Sequence, residues 1–187
     1  IRKILSLNSI ISSSAGLSLE SKINLMKVYK GNFFEMYGLA ELGVVSCINF
    51  KNKKKFLNSV GLPVPGVKVK ISNKIKGIGE IECKSKFKFN GYFNLKSQKK
   101  FYRYSYFKTG DLGFIKNKHL YFVGRKKNML KINGVAVYPE DIENNLNKLN
   151  YVHETVVSSV SKFDEDDWLC LLYKPKNNEK NVDYKIK

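Results

Sequence analysis

Four side chains stand out for the chemistry they can do. Tyr37 precedes Gly38, which sets a flat aromatic face beside a residue that permits tight backbone geometry; an ordinary strand-end turn reads the same way. Glu41 follows closely and offers a carboxylate, the ligand that a hard divalent cation prefers. Asp111 comes after Thr109-Gly110; its two oxygens can accept from a pair of hydroxyls, or it can cap the turn. Arg125 is one of only three arginines, with Arg2 and Arg103, among 34 basic residues. An arginine kept in a lysine-rich chain fits a need for fork geometry, as at paired hydroxyls or phosphate, with a surface ion pair as the plainer alternative.

Other chemistries find little support. Cys47, Cys83 and Cys170 lie far apart with no CxxC pair, as expected of reduced thiols in the cytosol. His119 and His153 have no partners at a metal-binding spacing, which argues against zinc. The 187 residues begin at Ile1, are 43% hydrophobic and 27% charged, and carry a net charge of +18. No apolar run approaches the roughly 18 residues that span a bilayer. A charge this high suggests nucleic acid or an anionic membrane. The lysines, however, are scattered through a chain also rich in Asn and Ile, so a solvated lysine surface is the expectation. The one dense run, Lys51 to Lys55, is expected in a solvent-facing loop.

The elements that must position these groups follow from pattern. Asn8 to Ser12 reads as a short strand, Ser12 to Gly16 as a loop, and a helix begins near Ser18 with Glu20 in its first turn. Phe33 to Met36 predicts a strand running into a turn at Tyr37-Gly38, and Val44 to Phe50 another strand. Gly61 to Gly66, with Pro63 and Pro65, predicts an extended linker. Val67 to Ile71 and Glu80 to Lys84 alternate as half-buried strands, and Lys116-Asn117-Lys118 joins Leu112–Ile115 to Leu120–Val123 as a hairpin. Tyr138-Pro139-Glu140-Asp141 opens a helix whose Ile142, Leu146 and Leu149 share a face. Thr155–Val160 and Trp168–Tyr173 predict two more strands.

Four segments in order carry a resemblance. Tyr37-Gly38-Leu39-Ala40-Glu41 is similar to Tyr-Gly-x-Thr-Glu. Gly79-Glu80-Ile81 with Gly91-Tyr92-Phe93-Asn94 is similar to Gly-Glu-(Leu/Ile)…Gly-Tyr-x-Asn. Lys108-Thr109-Gly110-Asp111-Leu112 is similar to (Arg/Lys)-Thr-Gly-Asp-Leu. The fourth is Gly124-Arg125-Lys126-Lys127-Asn128 with Lys131, Gly134 and Pro139-Glu140-Asp141-Ile142-Glu143. Together they resemble the adenylate-forming superfamily of acyl- and aryl-CoA synthetases, fatty acyl-AMP ligases and adenylation domains, over nearly the whole chain.

The resemblance implies an α/β fold. Residues 1–125 would be the C-terminal part of a large AMP-binding domain with a β-rich subdomain, and 126–187 the start of a small α+β domain, truncated. It implies ATP-dependent activation of a carboxylic acid as acyl-AMP, with Mg2+, then transfer to a thiol, CoA or a carrier protein, in the cytoplasm. Tyr37 and Gly38 would meet adenine, Glu41 Mg2+, and Asp111 and Arg125 the ribose. Ala40 replaces the usual Thr and loses its hydroxyl to phosphate, as in some fatty acyl-AMP ligases. Ser14-Ala15-Gly16 would be the adenine-contacting turn, or a plain loop. Lys127 would be the hinge, or one more solvated lysine. Lys131 to Gly134 would line the thiol's path, or Gly134 would serve a turn. The family's Ser/Thr/Gly-rich phosphate loop ending in Lys, and its late lysine in a Gly-Lys context, find no match, so these residues alone are expected to turn nothing over. The rival readings are a basic nucleic-acid-binding module, with clustered cations interleaved with aromatics, and a non-catalytic relic of the same fold.

Overall fold

Strand β1 (Ser9–Ser12) pairs in parallel with β2 (Asn32–Leu39), an arrangement that no tight turn can close. Helix α1 (Leu19–Val28) makes the crossover. Its start is set by Ser18, whose hydroxyl oxygen accepts from the Ser21 N–H at 3.1 Å, with Glu20 in the first turn. Lys22 fixes the helix to β2: its ammonium is 2.6 Å from the Glu35 carboxylate, both side chains being buried, and donates to the Leu57 carbonyl at 3.0 Å. Tyr29, Phe33, Ile48 and Phe50 fill the space beside the helix. The computed structural model describes residues 6–51, 54–93, 101–132, 135–160 and 168–176. Within the chain two compact units separate, Ile1–Lys127 and Asn128–Lys187.

In the first unit, β2 turns back antiparallel into β3 (Gly43–Asn49), which pairs with the short β4 (Leu62–Pro63). Two expectations need correcting here. Tyr37-Gly38 is not the turn: β2 runs through both to Leu39, and the turn is residues 40–42. The expected linker from Gly61 to Gly66 is partly sheet, because β4 docks on β3 and Gly61 bridges to Leu120. A second sheet follows from β5 (Val67–Ile75), β6 (Ile78–Ser85), β7 (Tyr102–Arg103), β8 (Tyr106–Lys116) and β9 (His119–Arg125). One edge of β8 pairs with β6; the other is shared by β7 at its start and β9 at its end. Leu42 and Val45 of the first sheet pack with Val67, Ile81, Cys83, Phe107 and Leu120 of the second in one core. Burial pushes the Cys83 thiol up to about 12, so it behaves as a small apolar residue.

The expected alternation in β6 fails at its centre. Glu82 points to the polar face yet is fully buried, because neighbouring side chains close over it. Ser72 donates to it at 2.6 Å, Lys70 lies 3.0 Å away, and Arg103 is 3.7 Å away. Lys70 is held in turn over the rings of Tyr106 and Tyr104, at 4.4 and 5.8 Å.

The second unit pairs β10 (Leu130–Ile132) with β11 (Val135–Val137) and β12 (Val152–Val160) with β13 (Trp168–Pro175), both antiparallel. Helix α2 (Pro139–Leu146) opens with Pro139, whose missing N–H costs nothing there, and Glu140 and Asp141 fill its first turn. It ends at Leu146, so Leu149 falls outside the expected helix face. Glu143 reaches from α2 to accept the Val157 N–H at 2.8 Å.

Burial alone would raise the Glu82 carboxyl. The hydrogen bonds from Ser72 and Lys70 and the charges of Lys70 and Arg103 outweigh it and hold the group below the usual range. A carboxyl lowered on folding stabilises the fold above its unfolded value, about 4.3, and that contribution is lost as pH falls through the folded value. In urea unfolding across pH, Glu82→Gln should therefore be less stable than wild type by a constant amount above about pH 5. The gap should narrow below about pH 4. A gap that widened in acid would contradict this.

Candidate functional site

Three of the singled-out residues meet at one point. The Tyr37 hydroxyl, from β2, donates to Asp111 Oδ2 at 2.7 Å. Arg125, directly opposite Asp111 on β9, brings its Nε to 3.2 Å from Oδ1. Both sheets of the first unit thus converge on one carboxylate, which is only 2% exposed, while the Arg125 side chain is 53% exposed. Burial, then the charge of Asp111, raises the Tyr37 hydroxyl far above its ordinary value, so the phenol remains a donor. Its ring lies 6.2 Å from that of Phe122, tilted.

Local backbone chemistry sets this geometry. Thr109 donates to the Ile81 carbonyl at 2.7 Å and accepts the Asp111 N–H at 3.0 Å, which clasps β8 to β6 just before the carboxylate. β8 runs unbroken through these residues, so Asp111 has no turn to cap there, and its N–H is held by the Thr109 hydroxyl. Between them Gly110 takes φ of +75°, a region that L side chains avoid. Gly38 matters for another reason. β3 carries an extra residue, Val45, opposite the Tyr37–Gly38 step of β2, and a Cβ on Gly38 would lie 2.5 Å from the Gly43 carbonyl oxygen. The bulge thus lies in β3, across from Tyr37, and Gly38 lets the two backbones come close there.

Glu41 and Ala40 lie in the turn that follows β2, with Ala40 exposed. Tyr92 donates to Glu41 Oε1 at 2.7 Å, and the Phe89 N–H to the Glu41 carbonyl at 2.8 Å. Among the described residues no three His, Cys, Asp or Glu side chains gather around a possible metal ion. A single carboxylate such as Glu41 fits Mg2+, which takes one or two carboxylates and completes its octahedron with phosphate oxygens and water. Ser14, Ala15 and Gly16 are exposed just after β1, and the register of Ser12 with Glu35 brings that loop off the same end of the sheet as Tyr37 to Glu41. Ligands of open α/β sheets gather at such strand ends.

Lys127 is exposed in a single 3-10 turn, Lys126–Asn128, at the end of the first unit, next to Lys126, which donates to Glu80 at 3.2 Å. Lys131 lies in β10 of the second unit, and Gly134 lies outside the described residues. Two contributors had been given no role from sequence, although both stand in the quoted motifs. Thr109 was legible: a hydroxyl two residues before a backbone N–H is a common turn device. Tyr92 was not, because its partner Glu41 lies 51 positions away.

Comparison with known proteins gives the family of the chain. Residues 2–93 match the family model described as AMP-binding enzyme. VraA of Staphylococcus epidermidis, a candidate long chain fatty acid-CoA ligase, is 31% identical over 91% of this chain and 37% of its own length. A long-chain-fatty-acid–CoA ligase of Bacillus subtilis is 30% identical over 83% of this chain and 29% of its own length. The o-succinylbenzoate CoA synthetase MenE of Bacillus subtilis, solved with its acyl-adenylate intermediate, superposes with a TM-score of 0.82. It is 22% identical over 92% of this chain and 37% of that one. The chain therefore spans only 29–37% of the length of these relatives, and it belongs to the AMP-binding, adenylate-forming superfamily. Its fold is theirs, a sheet-dominated α/β arrangement. Among the described residues no helix is long and apolar enough to cross a membrane.

The two glycines differ in why they are needed, and this can be measured. Ala at Gly110 meets nothing within 4 Å and bears only the strain of positive φ, about 1–2 kcal/mol. Ala at Gly38 must push backbone aside. In urea unfolding Gly38→Ala should lose clearly more stability than Gly110→Ala; the reverse order would contradict the structure.

Proposed function

We propose that these residues form the nucleoside-holding side of an enzyme that activates a carboxylic acid with ATP and passes the acyl group to a thiol. The observation that carries this reading is the junction of Tyr37, Asp111 and Arg125 at one point between two sheets. It offers a ring to stack on, a buried two-oxygen acceptor and an exposed guanidinium. On this reading Tyr37 stacks on adenine, and Gly38 and the loop Ser14-Ala15-Gly16 let the base approach the backbone. Asp111 accepts from the ribose hydroxyls and Arg125 assists it. Oδ2 accepts from the Tyr37 hydroxyl and Oδ1 lies beside the Arg125 guanidinium, so a ribose would share the carboxylate with both side chains.

Glu41 holds Mg2+, which would neutralise phosphate charge as pyrophosphate leaves. Ala40 contributes no hydroxyl there. Activation is attack of the substrate carboxylate on the α-phosphate; the protein's part is positioning and preorganised charge, not a nucleophile. Residues up to about 125 are the large-domain part and those beyond are the small-domain part, with Lys127 as the hinge between them. Lys131 and Gly134 line the route of the thiol, CoA or a carrier protein. The three free cysteines suit a reducing compartment such as the cytosol. No Ser/Thr/Gly-rich loop ending in Lys occurs in the 187 residues, so this chain by itself accounts for nucleoside binding and not for turnover.

The test is AMP binding by the chain, followed by calorimetric titration. Asp111→Ala removes a charge-assisted acceptor worth about 1.5–3 kcal/mol, so affinity should fall at least tenfold with the fold intact by circular dichroism. Unchanged affinity in that variant, or no AMP binding by the wild-type chain, would overturn the reading.

A further inference from the structure

Tyr92 makes a contact that the roles above leave unused. Its hydroxyl is 2.7 Å from Glu41 Oε1, and it reaches there from a different part of the chain. The ring packs against two members of one aromatic cluster. Phe89 meets it edge-on with centroids 4.8 Å apart, Phe101 lies at 4.9 Å, and both pack on Phe107, at 5.9 and 6.2 Å, in the buried core. The same segment holds the Glu41 backbone, through the Phe89 N–H. A glutamate in a surface turn has three rotatable bonds and no reason to keep one orientation. Here the main chain and one carboxylate oxygen are both tied to a rigid cluster.

We infer that Tyr92 is the positioning residue for Glu41, fixing its carboxylate so that the rest of it faces a nucleotide-bound divalent cation. This deepens the proposed function and rests on Glu41 being the Mg2+ ligand. A phenol suits the task. It donates without bringing a positive charge, so the full negative charge of Glu41 stays available to the cation. Partners that orient a ligating carboxylate commonly change metal affinity by 10–100-fold when removed.

The experiment uses the 187-residue chain with ATP and Mn2+ as the probe, reading the affinity of the bound cation from its broadening of NMR signals. AMP binding without metal is the control. Tyr92→Phe keeps the ring and its packing but loses the hydroxyl. It should weaken Mn2+ binding about tenfold or more while AMP affinity and thermal unfolding remain close to wild type, and Glu41→Gln should weaken Mn2+ at least as much. Wild-type Mn2+ affinity in Tyr92→Phe, with Glu41→Gln impaired, would overturn the positioning role and leave Glu41 as the ligand. Equal loss of AMP and Mn2+ binding in Tyr92→Phe would also overturn it, showing a merely structural tyrosine. Wild-type Mn2+ affinity in Glu41→Gln, or no Mn2+ binding by the wild-type chain with ATP, would sink the Glu41 assignment and this inference with it.

Discussion

A carboxylate taken out of water must be compensated, and Asp111 is where this fold meets that demand. An ionised group with 2% exposure is costly unless hydrogen bonds and an opposite charge meet it. The compensation comes from two directions: a phenol from the first sheet and a guanidinium from the neighbouring strand. Neither arrives by accident of packing. Gly38 lets β2 approach β3 closely beside Tyr37, the Thr109 clasp and the positive φ of Gly110 fix the backbone just before Asp111, and register puts Arg125 directly across. Loss of any of these leaves a buried charge short of a partner. The arrangement that satisfies the carboxylate is the same one that gathers a ring, an acceptor and a cation in one place.

Glu82 shows the same physics put to a different end. It too is buried and ionised, but its partners Lys70, Arg103 and Ser72 close over it completely. Asp111 keeps an exposed arginine at its side, whereas Glu82 lies under a lid of cations and tyrosines. The first arrangement leaves an approach for a ligand; the second stitches β5, β6 and β7 together. In a chain with a net charge of +18, lysines are plentiful enough to serve as covers of this kind. The single charged fork beside Asp111 is an arginine.

Much of this was legible in the sequence. The four motifs pointed to the superfamily, and Tyr37, Asp111 and Arg125 were singled out by their places in those motifs. The crossover helix was signalled by Ser18 and Glu20, and the second helix by Pro139 with its acids, because caps and dipoles act within a few residues. Non-local pairing was the hidden part. Nothing near Pro63 says that β3 will accept it as a partner, nothing near Glu82 says that Lys70 and Arg103 will cover it, and nothing near Tyr92 names Glu41. The turn after β2 was misplaced because Gly38 was read as permitting a tight turn. In the sheet it is there for close approach to Gly43.

The central claim is that the Tyr37 hydroxyl and the Asp111 carboxylate form one interaction on which the site depends. A double-mutant cycle tests it most directly: urea unfolding of wild type, Tyr37→Phe, Asp111→Asn and the double variant. A charge-assisted hydrogen bond in this setting predicts a coupling of about 1.5–3 kcal/mol, with the double variant much less destabilised than the sum of the singles. Effects that add to within about 0.5 kcal/mol would show that the two groups do not act together and would contradict the account.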